Sequence, residues 1–153
     1  MLGIDTFDRH LKAIDADPLD GTWFQAWQLA GSEERSTVLA QRAADLLDLN
    51  VIATGPSTAI GLGPDFKPHA ALGWSLQALK GFPGIGSDLI EAGLASPSIQ
   101  NRNGAMNALE EWGPDRWTAG HIAKLERLAS IDPHEKAKER ARELLHQRYE
   151  GDR

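Results

Sequence analysis

Ile4, Phe7, Leu11 and Ile14 recur at spacings of three and four, which places them on one face of an opening helix expected to end near Asp15. After Asp17-Pro18, Trp23, Phe24 and Trp27 form a second stripe that stops at Gly31, a residue suited to the left-handed turn that closes a helix. Ser32 is the expected cap of a third helix. Glu33 and Glu34 fill its first turn, where carboxylates complement the helix dipole. Val38, Leu39, Ala43, Leu46 and Leu47 are its expected buried residues, and its end is expected near Leu49-Asn50.

From 51 to 68 the periodicity disappears, and Gly55, Pro56, Gly61, Gly63, Pro64 and Pro68 punctuate the chain. This predicts a long loop or a short hairpin built from Val51-Ile52-Ala53 and Ala59-Ile60. Helical spacing resumes with Leu72, Leu76 and Leu79 before Gly81. Four further helices are expected near 88–95, 97–112, 119–130 and 133–149, separated by compact Gly, Pro, Ser and Asp signals.

The second half repeats itself. Ser96-Pro97, followed by Arg102, Ala105, Met106, Ala108 and Leu109, aligns at an offset of 36 with Asp132-Pro133, followed by Lys138, Ala141, Arg142, Leu144 and Leu145. Ser96 and Asp132 are the expected N-caps, Pro97 and Pro133 the first helical residues, and Glu135 the partner of Asp132 in a capping box. A proline after a cap, a basic residue five positions on and closely spaced Ala and Leu resemble the second helix of HEAT repeats. Asp88-Leu89-Ile90-Glu91-Ala92-Gly93-Leu94 and the segment from His121 to Leu128 resemble the matching first helices, so that the likeness covers 83–149. Ser96 in place of aspartate, Asn101 at an apolar position, Arg142 at a small one and the short period bring shorter bacterial HEAT-like repeats closest. The resemblance implies an all-α, right-handed, HEAT-like or armadillo-like superhelix of antiparallel helix pairs. It also implies that Arg102 or Lys138 bridges to a capping acid of a neighbouring repeat, with Asp132 available to receive Arg102.

Composition narrows the reading. A chain of 153 residues is near the usual size of one domain; within it, 1–50 is read as an irregular helical part, 51–68 as the Gly/Pro-rich loop and 69–149 as helix pairs. The sequence has no cysteine, which removes thiolate chemistry and disulfides. Residues 1–20 carry acids and lack a basic start followed by an apolar run, so no secretory signal is expected and the cytoplasm is the default. No run approaches the length of about 18 apolar residues that a spanning helix needs. Residues 1–66 hold four Lys/Arg against ten Asp/Glu, while 67–153 hold twelve of each. An acidic chain repels phosphate backbones, which disfavours nucleic acid and favours a basic partner.

Candidate chemistry is sparse. His10, His69, His121, His134 and His146 include no pair at metal-ligand spacing on one helix, so no metal is expected. Gly55-Pro56-Ser57-Thr58-Ala59 falls short of a nucleophile elbow, and Gly61-Leu62-Gly63 is neither a phosphate loop nor a dinucleotide fingerprint, so no cofactor or catalytic residue is assigned. Trp23, Trp27 and Trp112 are read as core, and Trp117, in a connector, as the exposed tryptophan.

The expected function is therefore a non-catalytic module that binds another protein or peptide. Its site is the outward stripe Gln100, Asn103, Asn107 and Glu111, together with Lys136, Glu139, Arg140 and Glu143 on the last helix. One alternative is DNA binding through Phe82-Pro83-Gly84-Ile85-Gly86, a turn like that of helix-hairpin-helix proteins, although Asp88 stands where such families place basic residues. The other is an enzyme with its site in the 51–68 loop.

Overall fold

A computed structural model describes residues 6–19, 22–57 and 67–151. They form helices α1 (Thr6–Ala16), α2 (Thr22–Ala30), α3 (Glu33–Leu46), α4 (Leu49–Ile52), α5 (Lys67–Leu79), α6 (Ser87–Leu94), α7 (Ile99–Trp112), α8 (Ala119–Ile131) and α9 (Glu135–Gly151). No strand occurs among the described residues, and the fold is all-α. No helix there is long and apolar enough to cross a membrane.

The N-terminal helices follow their stripes. Phe7, Leu11 and Ile14 are buried on α1, as are Trp23 and Trp27 on α2; Ile4 and the Phe24 side chain lie outside the described residues. Gly31 takes φ 53° after α2, and Ser32 Oγ accepts from Arg35 N at 3.2 Å to cap α3. The buried face of α3 is Ser36, Leu39, Ala40 and Ala43, continued by Leu47. Val38 is 37% exposed and Leu46 half-buried, contrary to expectation. One residue is about 100° of helix, which turns Val38 away from the face that Leu39 defines.

The hairpin expected after Leu49-Asn50 does not form on its described arm. Asp48 Oδ1 accepts from Val51 N at 3.3 Å, and Val51-Ile52 belong to the short helix α4. Aspartate at a cap outweighs the strand preference of two β-branched residues. Ala59-Ile60 lies outside the described residues. The chain re-enters helix at Lys67, one residue before the expected end of the loop.

Hydrogen bonds fix how the later helices run. Asn101 near the start of α7 reaches the His69 carbonyl near the start of α5, and Trp112 at the end of α7 reaches the Leu79 carbonyl at the end of α5. The pairs advance together, so α5 and α7 are parallel. Likewise Arg102 meets Asp132 and Arg140 meets Glu110, which makes α7 and α9 parallel. His121 with Ser87 and Lys124 with Glu91 do the same for α8 and α6. The connectors from α6 to α7 and from α8 to α9 are short, and Arg142 Nε on α9 donates back to the Ala129 carbonyl near the end of α8, as an antiparallel pair requires. Two layers result, one of α5, α7 and α9, the other of α6 and α8. Leu72, Leu76, Leu89, Ile90, Ala105, Met106, Leu109 and Leu125 are fully buried among them.

Candidate interaction surface and its buried clamp

Both second helices begin two residues later than the sequence suggests, and for the same reason. Ser96 Oγ accepts from Ser98 N at 3.1 Å, and Asp132 Oδ1 accepts from His134 N at 2.9 Å. Each side chain thus closes a turn over the following proline instead of capping a helix. The caps move to Ser98, which accepts from Asn101 N at 3.4 Å, and to His134, whose Nδ1 accepts from Ala137 N at 3.3 Å. Asp132 itself ends α8, and the capping box expected between Asp132 and Glu135 is replaced by this turn. The offset of 36 survives in the hydrogen bonds, since Ser96 and Ser98 correspond to Asp132 and His134.

Arg102 joins the two turns. Its Nε and Nη2 donate to Asp132 Oδ2 at 2.8 Å and Oδ1 at 2.9 Å, a bidentate pair with both side chains at 0% exposure. Nη1 donates to the carbonyls of Ser96 (3.1 Å) and Pro97 (3.0 Å), and Nη2 also donates to that of Ser57 (2.6 Å). All five guanidinium N–H groups therefore have acceptors. Gly55 N donates to the Ala95 carbonyl at 2.7 Å and Ser57 Oγ to the Pro97 carbonyl at 2.8 Å, so residues 55–57 lie strapped across the turn before α7. The Ser57 hydroxyl is thereby engaged with a backbone carbonyl.

Asn101 fills its apolar position by bonding. It is 4% exposed, with Nδ2 donating to the His69 carbonyl at 2.9 Å and to Ser96 Oγ at 3.4 Å. A Cβ on Gly73 would lie 2.9 Å from Asn101 Oδ1, which explains a glycine inside α5.

The stripe residues divide by exposure. Gln100, Glu111, Lys136, Glu139 and Glu143 are exposed, while Asn103, Asn107 and Arg140 are half-buried. Arg140 Nη2 bonds Glu110 Oε2 at 2.7 Å, a pairing across the α7–α9 seam that the sequence reading did not include. Arg140 thus flanks the seam, whereas Lys136, Glu139 and Glu143 lie opposite the buried Ala137, Ala141 and Leu144.

Trp117 is a correction. It is 8% exposed, because the 3-10 turn Pro114–Arg116 carries its ring back over α7, where Nε1 donates to the Leu109 carbonyl at 2.7 Å. Trp23, Trp27 and Trp112 are buried as expected, and Trp74 is 37% exposed. In the turn before α6, Gly84 and Gly86 have φ of 86° and 76°. A Cβ on Gly86 would sit 2.6 Å from Leu79 Cδ1, so packing of the chain accounts for that glycine. The turn borders a cleft of about 330 Å³ whose other wall is Thr37, Ala40, Gln41 and Ala44 of α3.

His121 is fully buried and caps α8 with Thr118, a role that a threonine three positions ahead of a hydrogen-bonding side chain signals in the sequence. Burial lowers the pKa of His121 and of His69 below the ordinary histidine value. No group of three His, Asp or Glu side chains suited to a metal occurs among the described residues. No protein-family model matches the chain, and neither a curated protein nor a solved structure matches it.

Proposed function

We propose that the chain is a non-catalytic protein-binding or adaptor module, built as a short HEAT-like, right-handed superhelix and acting in the cytoplasm. The observation that carries the reading is the duplicated turn: Ser96 with Ser98 and Asp132 with His134 repeat the same bonds 36 residues apart, with Arg102 joining one unit to the next. Parallel stacking of α7 on α9 and of α6 on α8 supports it, because repeat proteins stack equivalent helices in this way. Stacked second helices form a continuous outer surface, here Gln100, Asn103, Asn107 and Glu111 beside Lys136, Glu139, Arg140 and Glu143. Adjacent helices lie about 10 Å apart, within reach of one extended peptide or partner helix. The surface mixes amides with ions of both signs, so hydrogen bonding contributes more than charge steering.

The test is affinity capture from the native host with wild type and a Glu111→Lys/Glu143→Lys variant, followed by titration of the purified partner. Both residues are exposed, so the melting temperature should hold while affinity falls at least about tenfold, the equivalent of 1.4 kcal/mol. Equal affinity of wild type and variant for the partner would remove the site from this surface.

A further inference from the structure

α8 opens with a capping box whose third position, ordinarily Glu or Gln, is His121. His121 N donates to Thr118 Oγ1 and Thr118 N donates to His121 Nδ1, both at 3.1 Å. An N–H aimed at Nδ1 requires that nitrogen to be unprotonated. The ring proton therefore sits on Nε2, which donates to the Ser87 carbonyl at 3.1 Å. Ser87 is the first residue of α6, so one neutral imidazole caps α8 and ties it to the start of α6. The ring meets Trp112 edge-on, with centroids 6.1 Å apart at 64°.

Proton uptake turns Nδ1 from acceptor into donor. Thr118 N–H then faces another N–H, and a cation stands at the positive N-terminal ends of two helices. On α6, Glu91 and Asp88 favour that cation, while Lys124 on α8 opposes it. Glu91 is also paired with Lys124 at 3.9 Å. α7 contributes the uncharged Trp112, the buried side chains of α9 among the described residues are Ala137, Ala141 and Leu144, and Asp115 and Arg116 in the preceding connector are exposed.

We propose that His121 makes the junction of α6 and α8 an acid-sensitive joint, in which protonation opens the α8 capping box and loosens the contact between the two first helices. Desolvation, the largest influence on His121, holds its folded pKa below 6.5 in spite of the Ser87 carbonyl and Glu91. The opened state titrates nearer 6.5 and binds the proton first. The joint is thus fully closed above 6.5 and weakens as pH falls from there through the folded pKa.

His121→Gln keeps an acceptor for Thr118 N without titrating, as glutamine does in ordinary capping boxes. Amide exchange should be followed in both proteins from about pH 7.5 to about pH 5. Protection of Thr118 N in the wild type should fall by up to about tenfold per pH unit below 6.5, while the Gln variant stays flat. His69, also shifted down by burial, is common to both and cancels in the comparison. Nitrogen chemical shifts of the wild-type imidazole read the tautomer independently of any variant, and should place the proton on Nε2 at neutral pH. Parallel loss of protection in both proteins, or a neutral-pH proton on Nδ1, would overturn the proposal.

Discussion

The seam between α7 and α9 is tied by an ion pair at each end, and the two pairs differ in almost everything but length. Arg102–Asp132 measures 2.8 Å and is 0% exposed on both sides; Arg140–Glu110 measures 2.7 Å and is 28% and 50% exposed. Taking two charges out of water costs several kcal/mol per ion, which bidentate geometry and full hydrogen bonding must offset. Arg102 meets that condition with three further bonds to carbonyls. Arg140 keeps its charge in water, where attraction is weak. Distance therefore says little about what a pair does. The buried one fixes the geometry of three backbone segments, since the Arg102 fork fits only if the turns at Ser96 and Asp132 and the strap at Ser57 are all in place.

Removing one buried partner should have the largest effect. Asp132→Ala leaves the guanidinium uncompensated and takes away the turn closure at His134, so a loss of about 3–5 kcal/mol is expected in urea unfolding. Arg102→Met strands the carboxylate and should cost a similar amount. The double variant should be less destabilised than the two losses added, because the unpaired charge is what costs most. Strict additivity would erase the contrast drawn between the two pairs. Between the two ties lies Leu109, fully buried; Leu109→Ala should cost about 2–5 kcal/mol through the cavity it leaves. A loss below about 0.5 kcal/mol, the range of ordinary surface changes, would mean that the seam is loosely packed. Ser98→Ala should cost about 1 kcal/mol, the usual worth of a cap. Ser96→Ala should cost at least as much, because the buried Ser98 N and Asn101 Nδ2 both lose their acceptor; no loss from Ser98→Ala would mean that the helix begins where the sequence first suggested.

The sequence made the helices and their parallel equivalence legible, because a period of 3.6 and a repeated Pro-to-basic spacing are local signals; the Arg102–Asp132 pair was expected only from the resemblance to HEAT repeats. Other features were not, each for a physical reason. The caps shifted because Ser96 and Asp132 serve a turn over proline as readily as a helix start, and only tertiary placement decides. Trp117 went inside because a 3-10 turn at Pro114–Arg116 reverses the chain, and the ring finds a carbonyl on the helix it has just left. Val51-Ile52 read as a strand, yet Asp48 made one helical turn of it. Of the proposed interaction stripe, the place of every residue but Arg140 opposite the apolar faces followed from periodicity, while the engagement of Arg140 with Glu110 depends on which helices stack and had no local signature.

The smallest effect belongs to that exposed pair, and it sharpens the comparison most. A double-mutant cycle with Arg140→Gln and Glu110→Gln should give a coupling of about 0.2–1 kcal/mol at low salt, as exposed pairs do. At about 1 M salt the screening length shrinks to about 3 Å, and the coupling should vanish. The buried pair is in direct contact and 0% exposed on both sides, so the coupling between Arg102 and Asp132 should be unchanged over the same range. Equal salt sensitivity at the two ends would show that water reaches Arg102. In that case the clamp would be breathing on the timescale of the measurement, and the repeat turns would owe their shape to the local bonds of Ser96, Ser98, Asp132 and His134 alone.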